Sequence, residues 1–353
     1  MRFLSIRCSA ILLVLASNEF GGGIGGVMGA SLNSPAPNVS LGAGKLIAAA
    51  RKGDTDGVIG FLKLKYDVDS IDARGETALM VAAVSGHLPT VEALVARGAN
   101  VHLADKFGRT ALMRAARRGR SNIVEFLIEK GADVNLADSQ GRSALMEGAQ
   151  MGHLETVHAL IAHRALANLK DTYGETALMK AARRRHVETV EALLDYGANP
   201  DLGDNNGRTA LIRAAHDGDL KMVQLLLRRG AGPNFQDRNG QTALMEAAIH
   251  GHVGIAKVLL DNGAEPNLKK KNGFTASMIA ANKGHVEIVE ALLKYGAKRD
   301  IVDLQLQTAS MRARSPDIAK LIDEYVATPT TDVPTTTNDG PTSKTSEKYL
   351  KSE

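Results

Sequence analysis

A glycine returns every 33 residues along most of this chain: Gly75, Gly108, Gly141, Gly174, Gly207, Gly240 and Gly273. Two residues after each comes a hydroxyl residue, Thr77, Thr110, Ser143, Thr176, Thr209, Thr242 and Thr275. Ala-Leu-Met-x-Ala-Ala or a close variant follows, as in Ala78-Leu79-Met80-Val81-Ala82-Ala83. A period of this length rules against one compact core. Each unit is a single supersecondary element that can bury its apolar face only against its neighbours.

The residues of the unit predict its shape. The Thr or Ser is a helix N-cap, its hydroxyl accepting from an orphan backbone N–H. The Ala-Leu-Met-x-Ala-Ala run favours helix, and its paired alanines let neighbouring helices approach closely. A mid-unit glycine such as Gly86 or Gly119 predicts a left-handed helix end. A second helix follows, Leu88 to Ala96 in the first unit, with Leu88, Val91, Leu94 and Val95 along one face. Gly98 ends it. Asp-x-x-Gly, as in Asp105 to Gly108 or Asp138 to Gly141, makes a tight turn. His87, His153, His186, His252 and His285 recur at the start of the second helix. Hydrogen bonding between loops is their expected role.

From about Lys45 to Tyr325 this pattern resembles the ankyrin repeat. The resemblance implies an all-α solenoid of stacked helix-turn-helix units with short protruding turns. An N-terminal cap spans residues 44–71, with Leu46-Ile47-Ala48-Ala49-Ala50 and then Gly53-Asp54. Seven full repeats fill 72–302. A divergent cap spans 303–325 and contains Thr308-Ala309-Ser310-Met311, Ala313 and Ile318 to Ile322. Degenerate ends are expected where an outer face meets water. The family's usual Thr-Pro-Leu-His is altered. Ala replaces Pro at Ala78, Ala111, Ala144, Ala177, Ala210, Ala243 and Ala276, and Met or Ile212 replaces His. The joint between repeats is therefore expected to be less polar, with the fold intact.

Outside the repeats, Arg2 and Arg7 flank the start of an apolar run, Ala10 to Ala16. Residues 1–30 read as a signal peptide or targeting leader. A membrane anchor over Ile11 to Ala30 is the competing reading, with Gly21, Gly25 and Gly29 at helix-packing spacing. Asn18 and Glu19 oppose it, since a mid-span acidic residue costs roughly 2.5–3.5 kcal/mol. A disordered leader or a misplaced start is the third reading. A flexible linker is expected over 31–43 and a disordered Thr/Pro-rich tail over 326–353. Cleavage would make the protein secreted or periplasmic; otherwise it is cytoplasmic or membrane-anchored. Cys8 is the one cysteine in 353 residues, so no disulfide framework forms within the chain.

The repeats carry no nucleophile elbow and no phosphate-binding Gly-x-x-x-x-Gly-Lys-Ser/Thr motif. No catalytic residue and no cofactor is expected, and the chain reads as a non-enzyme. The recurring histidines sit on helices spaced roughly 8–10 Å apart, too far to share one zinc with bonds of about 2 Å. His250 and His252 are neighbours, but no further ligand stands beside them in the sequence. Asp105, Asp138, Asp171, Asp204 and Asp237 belong to the turn rather than to paired acids.

Charge is the remaining signal. Ankyrin-like proteins bind through turn tips and first helices, which line the concave face. Over those positions in the seven repeats, fifteen residues are basic and five are acidic, an excess of ten against +4 for the whole chain. Second helices carry acids such as Glu125, Glu129, Glu188 and Glu191. The expected partner-binding residues are Lys106, Phe107, Arg109, Arg114, Arg117, Arg118, Arg142, Tyr173, Lys180, Arg183, Arg184, Arg208 and Arg213. Arg beside an aromatic ring can stack and fork onto carboxylate or phosphate. The expected function is a monomeric interaction scaffold holding an acidic segment of a partner protein. The alternatives are a polyanion (surface glycan, lipopolysaccharide or nucleic acid) and a regulatory subunit of an enzyme. Aromatic residues make up only 4%, which weighs against base stacking.

Overall fold

The computed structural model describes residues 41–326. The leader, most of the linker and the tail anticipated from the sequence lie outside these residues. Helix α1 (Leu41–Lys52) starts inside the expected linker, because Ala43 is already buried against the first repeat's side of the core. It pairs with α2 (Thr55–Lys63), which Asp54 caps by accepting from the Gly57 N–H at 2.8 Å.

Seven helix pairs follow. They are α3 and α4 (Ala78–Ser85, Leu88–Ala96), α5 and α6 (Ala111–Arg117, Ser121–Glu129), α7 and α8 (Ala144–Met151, Leu154–Ala162), and α9 and α10 (Ala177–Arg183, Val187–Asp195). Next come α11 and α12 (Ala210–His216, Leu220–Arg228), α13 and α14 (Ala243–His250, Val253–Asp261), and α15 and α16 (Ala276–Lys283, Val286–Lys294). First helices stack in series from α1 to α15, and second helices pack behind them. One continuous core runs through the stack and includes Leu79, Leu112, Leu145 and Leu178, each 1% exposed. Truncating one of these to Ala would cost about 2–5 kcal/mol. No strand occurs among the described residues, only isolated bridges in the first turns such as Ile71 to Thr77.

Each expected cap forms. The Thr77 hydroxyl accepts from the Met80 N–H at 3.3 Å, and the same bond recurs from Ser143 to Met146 and from Thr275 to Met278. The methionine that stands where the family has His is buried in the core, as at Met80 and Met146. The recurring histidines do not cap their own helices. Four of them, His87, His153, His186 and His252, reach back 36 residues instead: His153 Nε2 lies 3.2 Å from the Arg117 carbonyl, and His186 Nε2 lies 3.2 Å from that of Gln150. Gly119 makes room for this, since a Cβ there would sit 2.7 Å from the His153 ring.

A second ladder joins the loops that follow the second helices. Asn135 Oδ1 accepts from the Leu166 N–H, Asn168 Oδ1 from Asn199 and Asn234 Oδ1 from Glu265, at 2.8–2.9 Å. A third ladder joins the turn tips. Lys106 N–H donates to the Arg74 carbonyl, Ser139 to Phe107, Thr172 to Gln140, and so on to Leu304 and Asn272. Loops that would leave backbone groups unsatisfied in an isolated repeat are thereby satisfied by the next repeat.

The C-terminal cap departs from the repeat. Thr308 to Pro316 is eight residues, whereas Thr275 to Val286, at the same points of the preceding unit, is eleven. The missing three residues are about one helical turn. Residues 309–312 accordingly form turns, and only the second helix, α17 (Pro316–Glu324), develops. Ile318 and Ile322 bury its inner face.

Four non-glycine residues have positive φ: Lys65, Arg164, Arg185 and Leu306. Each holds a place in the 33-residue register where other units have glycine. For an L-residue that conformation costs roughly 1–2 kcal/mol. Arg164→Gly is therefore expected to stabilise the array by about 0.5–1 kcal/mol once the extra backbone entropy of Gly is counted. Its register-mate Gly131, which has open space where a Cβ would go, should lose about 1 kcal/mol on Gly131→Ala. Urea unfolding of the two variants measures both signs.

Candidate functional site

The turn aspartate organises the face made by the turns and first helices. Asp105 Oδ1 accepts from the backbone N–H groups of Phe107 (2.9 Å) and Arg109 (3.0 Å). Asp138, Asp171, Asp204, Asp237 and Asp303 repeat this pair of bonds. The second oxygen takes a cation from the turn or from the first helix. Asp105 Oδ2 meets Arg109 at 2.7 Å and Arg114 at 3.4 Å. Asp138 meets Arg142, Asp171 meets Lys180, and Asp204 meets Arg213. Burial raises the Asp105 carboxyl, but the hydrogen bonds from Arg109 and from the Arg109 and Phe107 backbone outweigh it and hold the group below the usual value. Asp303 is lowered in the same way, by Arg312 and the backbone of Gln307 and Gln305 against the opposing effect of burial.

Four buried glutamates add to this layer. Glu76 takes Arg114 of the next repeat at 2.6 Å. Glu147 takes Arg117 of the preceding repeat at 3.2 Å and Arg142 at 3.0 Å. Glu175 binds Lys180 and Arg183 at 3.1 Å and reaches Arg213 of the next repeat at 3.9 Å. Glu246 lies 3.9 Å from Arg208 and 3.1 Å from His216, both in the preceding repeat. These pairs tie each unit to its neighbour. The glutamates are buried, so removing the cation partner of one leaves an uncompensated buried charge, at a cost of about 3–5 kcal/mol.

The expected binding residues therefore divide. Lys180 is 3% exposed, its ammonium held between Asp171 and Glu175. It is part of the scaffold rather than a surface contact, because two buried carboxylates need its charge. Arg109, Arg114, Arg142, Arg208 and Arg213 are part-buried and ion-paired. Arg117 and Arg183 are paired but exposed. Lys106, Arg118 and Arg184 are exposed, and none of the three has an ion-pair partner among the described residues. Phe107 and Tyr173 stand out at the turn tips, 55% and 63% exposed, with the Arg109 guanidinium 4.8 Å from the Phe107 ring centroid. A cleft of about 240 Å³ centred on the second repeat is lined by its Met113, Arg114, Arg117 and Arg118 together with Val84 of the first repeat and Glu147 of the third.

The turn aspartates offset much of the basic excess on this face. Five of them, Asp105, Asp138, Asp171, Asp204 and Asp237, lie within ion-pair distance of the counted cations. One sequence signal could have shown this. The position before Ala-Ala runs Arg114, Glu147, Lys180, Arg213, Glu246 through consecutive repeats, a mixture of signs suited to pairing across joints. His216 and His250 were also missed as a pair, though their rings pack edge to face with centroids 4.5 Å apart. His250 is held below the ordinary imidazole value, first by burial and then by His216, against the pull of Glu246.

The model of ankyrin repeats (3 copies) matches residues 46–138, 98–171, 133–204, 197–270 and 257–330. The chain belongs to the ankyrin repeat family. Members of this family generally mediate protein–protein interaction and are typically non-enzymatic. A search of curated proteins returned no match to the chain.

The turn aspartate gives a direct test. Asp105→Ala removes two backbone bonds and the counter-charge of Arg109 and Arg114, and should cost about 2–4 kcal/mol. Because Asp105 and Asp303 are depressed in the folded state, their contribution is complete above the ordinary carboxylate value of 3.8. It is lost as pH falls through their lower native values. Thermal melts from pH 6 to pH 2 should show the wild type losing stability below about 3.8, with a shallower fall for Asp105→Ala.

Proposed function

We propose that the protein is an interaction scaffold that holds an acidic segment of a partner protein on its first-helix face. The observation that carries this reading is the pair Arg118 and Arg184. They occupy the same place in the second and fourth repeats, at the C-cap of the first helix, and both are exposed with no ion-pair partner among the described residues. Lys106 and the exposed ring of Phe107 belong to the turn of the second repeat, and the exposed ring of Tyr173 to the turn of the fourth. Unpaired guanidinium groups keep their fork of donors for a partner's carboxylate. The buried pairs behind them are already satisfied and serve to fix the backbone on which these cations stand. The acidic second helices leave the opposite side unsuited to the same ligand.

Solvent-exposed cations of one sign attract an oppositely charged segment and raise its association rate. Arg118→Glu with Arg184→Glu should weaken capture of an acidic peptide such as oligo-glutamate at least tenfold, with unchanged helical circular dichroism. Arg142→Gln, which touches the scaffold instead, should act on thermal stability first. Capture unaffected by the double charge reversal would overturn the reading. A binding constant for duplex DNA that falls by about 0.9 log units per phosphate contact per log unit of salt, and exceeds that for the peptide, would replace the protein partner with a polyanion. The N-terminal leader is proposed to direct the chain out of the cytoplasm, and sequencing the N-terminus of the mature protein tests that separately.

A further inference from the structure

Sequence spacing sets His216 and His250 34 residues apart, one place more than a full repeat. Stacking of α13 on α11 turns that spacing into a contact. Glu246 and His250 stand one helical turn apart on α13 and share a face, and His216 ends α11. His216 Nδ1 lies 3.1 Å from Glu246 Oε2 and 3.1 Å from His250 Nε2, and His250 Nε2 lies 3.7 Å from Glu246 Oε2. The three donor atoms enclose one point.

A tetrahedral zinc with bonds of about 2.0–2.1 Å holds its ligand atoms about 3.3–3.4 Å apart. The edges of this triangle bracket that value. Hydrogen bonding explains the arrangement less completely. Whichever tautomers are chosen, two facing ring nitrogens 3.1 Å apart have room for one proton between them, while a dication would satisfy all three lone pairs at once. The surroundings also fix the donors. Glu246 is 2% exposed, and its other oxygen faces Arg208 at 3.9 Å, so Oε2 is left for the triangle. His252 stacks on His250 at 5.7 Å between centroids, while its own Nε2 lies 3.4 Å from the His216 carbonyl. His252 thus positions a ligand without being one.

We propose that His216, Glu246 and His250 form a site for one transition-metal dication of the zinc class, with the fourth position open to water on the first-helix face. Two imidazoles and one carboxylate suit zinc, cobalt or nickel better than calcium or magnesium, which prefer all-oxygen sets. The two histidines are partly exposed, so an ion can enter and leave without unfolding the stack. Arg208 beside Glu246 adds positive charge near the site and limits its affinity. The site is independent of the acidic-partner reading, since it shares none of Lys106, Arg118 or Arg184.

The test uses the full chain without an affinity tag, stripped by chelator and titrated with Co²⁺ while the visible d–d bands are followed, then with Zn²⁺ in competition. The expected result is one Co²⁺ per chain, displaced by one Zn²⁺, with affinity reduced at least tenfold in His216→Ala and in His250→Ala. Both positions are exposed enough for the variants to fold, and circular dichroism checks this. His153→Ala, a helix-start histidine in another repeat, should bind as the wild type does. Absence of stoichiometric binding by the wild type would overturn the proposal. So would equal affinity in the two ligand variants, or a loss confined to His153→Ala.

Discussion

Each finger of this array depends on one carboxylate doing two things. The turn aspartate uses Oδ1 to gather two backbone N–H groups, which closes the turn, and uses Oδ2 to hold a cation of its own unit, from the turn at Asp138, from the first helix at Asp171 and Asp204, and from both at Asp105. Turn geometry and helix position are thereby coupled through a single residue. The unit that lacks it shows what each half contributes. Lys270 stands where the aspartate would be, and the backbone ladder survives there, with Lys271 N–H still bonded to the Asn239 carbonyl at 2.9 Å. The electrostatic half is replaced by a ring: Arg312 and Lys270 lie over Phe274 at 4.4 and 5.6 Å. The ladder sets register, and the carboxylate joins the turn to the helix behind it.

A buried carboxylate in turn demands a cation, and this changes the meaning of a basic first-helix face. Arg109, Arg142 and Lys180 stand where they do because Asp105, Asp138, Asp171 and the buried glutamates need neutralising. Counting charge by position treats all cations as available. Counting it by contact leaves, among the expected binding residues, Lys106, Arg118 and Arg184, with Arg74, Arg238, Lys271 and Lys283 exposed and outside any ion pair elsewhere on the same face of the described residues. The separation is physical: cations with buried partners hold repeats together, and exposed cations without partners are free to meet a ligand.

The fold was legible because its requirements are local and repeat. Positive φ calls for glycine, an orphan N–H calls for Thr or Ser, and a thin joint calls for alanine, so each leaves a mark every 33 residues. What escaped was of two kinds. The C-terminal cap lost its first helix to a three-residue shortening before Pro316, which composition conceals because Thr308-Ala309-Ser310-Met311 still looks like a helix start. The charge balance escaped because the turn aspartates had been given a single task. The places where glycine is missing from the register, Arg164, Arg185 and Leu306, kept the left-handed backbone regardless, which shows neighbouring repeats imposing a conformation against local preference.

The ion pairs and histidine contacts across a joint obey a different arithmetic from the repeat itself. Ion pairs link residues 30 or 38 apart, as in Arg117 with Glu147 and Glu76 with Arg114. The histidine contacts run at 36 along the helix starts and at 34 between His216 and His250. None of these equals 33, so a search by column, which finds the fold, cannot find them. The stacked array presents diagonals, and side chains that are alone in their own columns meet there. His216 and His250 are such a case: each reads singly as an exposed helix end, and only the stacking of α13 on α11 places both beside a buried glutamate. Chemistry in an array of this kind has to be sought one repeat plus or minus a few residues away, where the joint rather than the repeat decides which groups touch.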